Sequence, residues 1–108
     1  MIARVITLHL RADKLDEASQ LLTHTSHRTS TLPGLRGELM LVDRERCKRM
    51  VIGIWETEGD LRASERDDLW RHALAGAAHL LTSTPTQETY QIEGQITFQT
   101  EETQPRQT

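Results

Sequence analysis

Five side chains in the second half of the chain carry chemistry that an enzyme could use: Trp55, Trp70, Arg71, His72 and Tyr90. An indole offers a flat apolar face to an aromatic ring, and a guanidinium or a phenol can sit against an oxyanion. An imidazole takes or gives a proton near neutral pH. Together such groups could hold a small ligand, exchange a proton with it and face an anion. Each also has a plainer explanation. Trp55 stands where an alternating segment hands over to a helical one, and an aromatic there more often wedges a core than binds a ligand. His72 and His79 are seven residues apart on one helical face, with Gly76 between them. That pair reads most simply as the wet side of an amphipathic helix, because Trp70 and Arg71 break up any apolar surface there. His24 and His27 are three apart, but no third ligand lies nearby in sequence. A solvated helix end, where protonated His suits the dipole, is preferred to a metal site. His9 falls on a strand and receives no role.

The elements that position these groups centre on Pro33 to Ser64. Pro33-Gly34 marks a turn. Leu39 and Leu41 then alternate with Glu38, Met40 and Val42, and Met50, Ile52 and Ile54 alternate with Val51, Gly53 and Trp55. Two period-two runs around the charged tip from Asp43 to Lys48 predict a hairpin with a solvated turn. Upstream, 2–11 reads as a first strand, with Ile6, Leu8 and Leu10 on one side and Ala3, Val5, Thr7 and His9 on the other. Neither side is fully polar, so both faces of this strand are expected to be covered, one of them by a second subunit. A helix is predicted from Asp13, its N-cap, to Thr31, burying Leu15, Ala18, Leu22 and Thr25. A short helix over 58–66 follows the hairpin. Asp67-Asp68 then cap a longer one through Leu81, with Leu69, Ala73, Leu74, Ala77, Leu80 and Leu81 as its apolar stripe. The last strand is placed over 88–98, kinked at Gly94, its second half overhanging the sheet toward a partner. The order β-α-β-β-α-β specifies an α+β, ferredoxin-like domain with an antiparallel sheet and helices on one face.

Composition bounds the function classes. At 108 residues the chain is one domain, placed at 1–100, with 101–108 a polar, flexible tail. A domain of this size buries about two-thirds of its unfolded surface. The net charge is −3 and the 13 Lys and Arg are scattered, so no basic patch attracts nucleic acid. A single cysteine, Cys47, rules out an internal disulfide and suits a reducing cytoplasm. No apolar run approaches the ~20 residues of a membrane span, and the alternating first five residues do not read as a secretion signal.

Leu32-Pro33-Gly34-Leu35-Arg36-Gly37, Leu41-Val42-Asp43, Trp55-Glu56-Thr57-Glu58 and Ala63-Ser64 resemble the antibiotic biosynthesis monooxygenase family of dimeric α/β barrels over about residues 2–93. The resemblance implies a homodimer whose sheets face each other, no metal or other cofactor, and a small aromatic ligand. Its implied activity is monooxygenation of a polyketide-like phenol or quinol, with Trp55 matching the Trp that anthrone oxygenases use at the strand–helix junction. Arg71 corresponds loosely to their Arg on the last helix. Where those enzymes carry an Asn and a Tyr, this chain has Val51 and Leu61. The haem-degrading branch wants Asn, Trp and His where this chain has Ile6, Ser64 and Leu74, so the resemblance does not extend to haem degradation. No Asn occurs anywhere in the chain. On these residues Trp55, Trp70 and Tyr90 are assigned to substrate binding and His72 and Arg71 to catalysis. The rival is a non-catalytic ligand-binding or accessory protein on the same fold.

Overall fold

The computed structural model describes residues 1–67 and 69–98, with Trp70 described by its backbone alone. Along the chain run β1 (Ile2–His9), α1 (Leu15–Thr29), β2 (Leu35–Asp43), β3 (Lys48–Trp55), α2 (Glu58–Ser64), α3 (Leu69–Gly76), a 3₁₀ turn (Ala78–Leu80) and β4 (Thr86–Gln91). The strands pair antiparallel in one sheet of order β2-β3-β1-β4. This is the ferredoxin-like β-α-β-β-α-β arrangement.

Alternation sets the two faces of the sheet. In β1, Arg4, Ile6 and Leu8 are buried while Ala3, Val5, Thr7 and His9 are half-buried. In β3, Arg49, Val51, Gly53 and Trp55 are buried while Lys48, Met50, Ile52 and Ile54 are half-buried. The buried side is the one the helices cover. Within one chain β1 is therefore covered on one face only, not on both. The apolar core joins Ile6, Leu8 and Leu10 to Leu15, Ala18 and Leu22 of α1, with Val51, Ala77 and Leu80. Leu15, Ala18, Leu22 and Thr25 are the predicted helical stripe, and all four are buried. Burying the Thr25 and Thr29 hydroxyls costs little, because they donate back to the Leu21 and Ser26 carbonyls at 2.9 and 3.1 Å. Arg49 Nε donates to the Leu15 carbonyl at 3.1 Å and ties β3 to the first turn of α1.

Several boundaries differ from the sequence reading. Asp13 does not cap α1. It sits in a turn closed by the Lys14 N–H on the Arg11 carbonyl, so the helix starts at Leu15 and stops at Thr29. The short helix ends at Ser64. The longer helix is not continuous to Leu81: α3 stops at Gly76, a poor helix former, and the chain tightens into the 3₁₀ turn. That tightening seats Leu80, 1% exposed, in the core and lets Leu81 bridge to Leu10. Asp67 does cap, accepting the Leu69 N–H at 2.9 Å; Asp68 lies outside the described residues. The last strand ends at Gln91 rather than Phe98. Its ladder with β1 ends at the Ile2–Gln91 pair, and the Ile92 N–H on the Met1 carbonyl at 2.9 Å is its last contact with that strand. Gly94 therefore kinks nothing, and Ile96 and Phe98 are 79% and 85% exposed. The predicted tail over 101–108 lies outside the described residues.

The turn before β2 buttresses the far end of the sheet. Gly34 has φ +82°, and a Cβ there would collide with the Asp60 side chain. Its carbonyl accepts the Glu56 N–H at 2.8 Å. Thr57 caps α2, accepting the Asp60 N–H at 3.0 Å. Turn, strand end and helix start are thus locked together around Trp55.

Leu80→Ala should lower the unfolding free energy by ~2–5 kcal/mol, whereas Phe98→Ala should change it by less than ~0.5 kcal/mol. Urea denaturation of the two variants checks both. A large loss at Phe98 would mean that the last strand runs on past Gln91.

Candidate functional site

Across the helix side of the sheet the register aligns Glu38, Gly53, Arg4 and Thr89 in one row. Gly53, between the acid and the base, carries no side chain. A Cβ there would lie 3.1 Å from Trp55 Nε1 and 3.7 Å from Leu35 Cδ1. The indole of Trp55 therefore lies back over the glycine. Trp55 is 1% exposed, and the Arg4 guanidinium carbon stands 5.7 Å from its ring centroid, within cation–π range.

Several polar groups here are buried without a protein partner. Trp55 Nε1 and Ser26 Oγ, the latter on α1, have no hydrogen-bond partner. Among the described residues nothing lies within ion-pair or hydrogen-bonding distance of the Arg4 side chain. Yet Arg4 is buried. Desolvation lowers its pKa, opposed first by Glu65 and then by Glu38. The guanidinium nevertheless keeps its proton. Glu65 is exposed, and its Oε2 accepts from Gln87 Nε2 at 3.4 Å. Burial pushes the Glu38 carboxyl above its ordinary value, with Ser26 and Arg4 opposing. The Ser26 hydroxyl influences Glu38 while falling outside hydrogen-bond geometry, and it remains a donor able to turn. Donors outnumber acceptors at this place, and the half-buried carboxyl beside them holds a proton more readily than usual. Such an arrangement can bind an anionic oxygen and exchange a proton with it.

A recess of about 150 Å³ lined by Ser30, Leu35, Arg36, Gly37 and Glu38 opens beside this row. Cavities of that order accommodate a single aromatic ring. The apolar pit between β1, α1 and α3, lined by Leu8, Leu22, Ala73, Leu74 and Leu81 among others, is only about 10 Å³, no larger than one water needs.

The structure does not bring the five sequence-assigned residues together. Trp55 lies over the row just described. Tyr90 is on the opposite face of the sheet, across from Ala3 and 52% exposed. Hydrogen bonding to Glu88, on the same face, raises its phenol above the usual range. Arg71 and His72 are exposed on α3, and the side chain of Trp70 lies outside the described residues. His24 and His27 are exposed, and His79 Nε2 meets Glu17 Oε2 at 3.4 Å. Among the described residues no group of three or more His, Cys, Asp or Glu is placed to hold a metal ion. Arg4, Glu38 and Ser26 escaped the sequence reading. A signal for two of them exists: Arg4 shares the parity of Ile6 and Leu8, and Glu38 that of Met40 and Val42. Each is a charge in a strip that otherwise faces the helices.

No protein-family model matches the chain, and no curated protein is similar to it in sequence. Solved structures are similar in fold. A candidate antibiotic biosynthesis monooxygenase from Deinococcus radiodurans superposes with a TM-score of 0.79 at 19% identity, over 92% of this chain and 99% of that one. A candidate of the same name from Nitrosomonas europaea gives 0.75 at 14% identity, over 87% and 100%. SnoaB, a cofactor-independent oxygenase from Streptomyces nogalater solved in mutant form, gives 0.72 at 11% identity, over 88% and 95%. The chain has the fold of these proteins, as its turn and junction motifs implied. Among the described residues no helix is long and apolar enough to cross a membrane.

The raised Glu38 pKa has a measurable sign. The folded chain holds that proton more tightly than the unfolded chain, so stability is lost as pH rises above the ordinary value of 4.5. Glu38→Gln should therefore be more stable than wild type at pH 7, with the gain disappearing as pH falls below that value. Thermal denaturation across a pH series checks it; a gain that grows on acidification would mean that Arg4 outweighs burial.

Proposed function

We propose that the chain is a cofactor-independent monooxygenase of an aromatic phenol or quinol, polyketide-like in character, acting as a homodimer in the cytoplasm. One observation carries the reading: on a fold shared with a cofactor-independent oxygenase, a fully buried Trp55 keeps an unpaired indole N–H beside a buried Arg4. Once deprotonated, an electron-rich ring passes an electron to dioxygen itself. The protein need only hold the ring, take one proton and stabilise the oxyanion away from water. Trp55 supplies the ring platform. Tyr90, facing away from Trp55, would meet a ligand only from the sheet's open side, and Arg71 and His72 would act only on a ligand reaching the outer side of α3.

The dimer is supported by the open side of the sheet. Leu39, Leu41 and Tyr90 are 56%, 44% and 52% exposed there, beside half-buried Val5, Met50, Ile52 and Ile54. A contiguous apolar face of this kind marks an association surface, and two such sheets facing across a two-fold axis close a barrel. A second reading, a ligand-binding or accessory protein on the same fold, is favoured by Val51 and Leu61, which stand where anthrone oxygenases carry Asn and Tyr.

Dioxygen uptake with a dihydroxynaphthalene-type quinol, no flavin or metal added, tests the oxygenase. Wild type should consume dioxygen. Trp55→Phe should cut the rate by about tenfold or more, as loss of one transition-state contact does, while leaving the protein folded. Trp55→Ala should in addition cost ~3–5 kcal/mol of stability. No uptake across a panel of quinols would favour the binding protein. Uptake indifferent to both substitutions would move the site elsewhere, His72→Gln then being the variant to compare.

Sedimentation at micromolar concentration should give twice the chain mass of 12.3 kDa; a stable monomer would exclude the barrel.

A further inference from the structure

We propose that Glu38 is the proton acceptor of this site and Arg4 its anion holder. A bound phenol gives up its proton to the Glu38 carboxylate while its oxygen is held by the Arg4 guanidinium and the Trp55 N–H. The O–H bond of the phenol breaks, a new O–H bond forms on Glu38, and the electron pair stays on the phenolic oxygen. No electron leaves the ring in this step. The substrate class rests on the oxygenase reading, but binding and proton transfer need no dioxygen.

The placement of four residues carries the assignment. Glu38 and Arg4 flank Gly53 in one cross-strand row, and the Trp55 indole lies over that glycine. Carboxylate and guanidinium are thus held one strand away on either side of the residue without a side chain, and among the described residues they form no direct ion pair. A salt bridge there would quench both groups. Kept apart, each is available to a third party. The missing partners are of one chemical kind: Trp55 Nε1 is buried without an acceptor, and the Arg4 guanidinium beside it meets the indole face rather than a carboxylate. A phenolate oxygen is an acceptor that can satisfy both, and its ring suits the recess beside Glu38. Leaving buried donors unpaired is costly, so the site gains by filling. The other charged group facing Arg4, Glu65, is exposed and already engaged with Gln87. Ser26 adds a hydroxyl that can turn toward either Glu38 or a ligand. The raised proton affinity of Glu38 agrees with the role assigned from geometry.

4-Nitrophenol is the test ligand, because its neutral and anionic forms differ in visible absorbance. Below its own pKa, wild type should convert the bound ligand to phenolate. Glu38→Gln should bind it as the neutral phenol. Above the ligand's pKa, where the phenolate is already formed, Glu38→Gln should bind it about threefold to tenfold more tightly, since one neighbouring negative charge is gone. Arg4→Lys keeps the charge and most of the stem but loses the guanidinium fork, and should weaken phenolate binding about tenfold. Circular dichroism establishes that both variants are folded. In the quinol assay Glu38→Gln should lose about a hundredfold or more in rate. Tighter anion binding with slower turnover is a combination that a merely structural Glu38 would not produce. Neutral ligand bound by wild type, phenolate formed equally by Glu38→Gln, or unchanged affinity in Arg4→Lys would overturn the assignment. Phenolate binding without any dioxygen uptake would leave it standing and remove the oxygenase reading. Uptake unaffected by Glu38→Gln would do the reverse.

Discussion

The indole of Trp55 lies back along its own strand, closely seated over residue 53, which has no side chain. With a Cβ at 3.1 Å from Nε1, tighter than ordinary contact, the ring would have to give way toward the helix layer. The buried strand end, the cation beside it and the start of α2 all depend on that fit. Glu56 leaves the strand bonded to Gly34, and Gly34 in turn has no room for a side chain against Asp60. Two glycines from different strands and turns thus fix one tryptophan. The geometry is held by backbone and by excluded volume, which tolerate less adjustment than flexible polar contacts do.

That constraint divides the helix side of the sheet into two regions of different character. Toward one end, α1 and the 3₁₀ turn close over Ile6, Leu8, Leu10 and Val51, leaving scarcely the room of one water. Toward the other, the same face carries Arg4, Glu38 and Trp55, and among the described residues Trp55 Nε1 and Ser26 Oγ are buried there without a hydrogen-bond partner. Folding alone gains nothing from the second arrangement, because desolvating a cation and leaving donors unpaired both cost free energy. Apolar side chains in that row would be cheaper. The apolar end supplies stability, and the polar cluster at the other end offsets part of it.

Much of the fold was legible because it is written in local periods. The alternation through Met50–Trp55 fixed which side chains share a face, and the switch at Trp55-Glu56-Thr57 located the start of a helix. The site was less legible because it depends on register between strands. Arg4, Gly53 and Glu38 are unremarkable until pairing sets them side by side, and no period within one segment predicts that. Tyr90 shows the same gap. Its parity within β4 was readable, but which face that parity occupied depended on its pairing with Ala3. The overextended last strand failed for a related reason: Ile96 and Phe98 continue the alternation, yet they lie past the point where β4 leaves β1 at Gln91. The broken final helix reflects tertiary demand, since seating Leu80 mattered more than continuing the turn.

Strand β2 lies at the edge of the sheet, and within it Leu39, Met40, Leu41 and Val42 are respectively 56%, 39%, 44% and 44% exposed. Four consecutive apolar residues with an unpaired backbone on one side are a template for strand addition by another chain. The flanks carry Arg36 and Glu38 before the run and Asp43, Arg44, Glu45 and Arg46 after it, charges that disfavour stacking of like segments. They bound the hazard without removing it. While that edge is uncovered, aggregation competes with folding, and this short run is where it would begin.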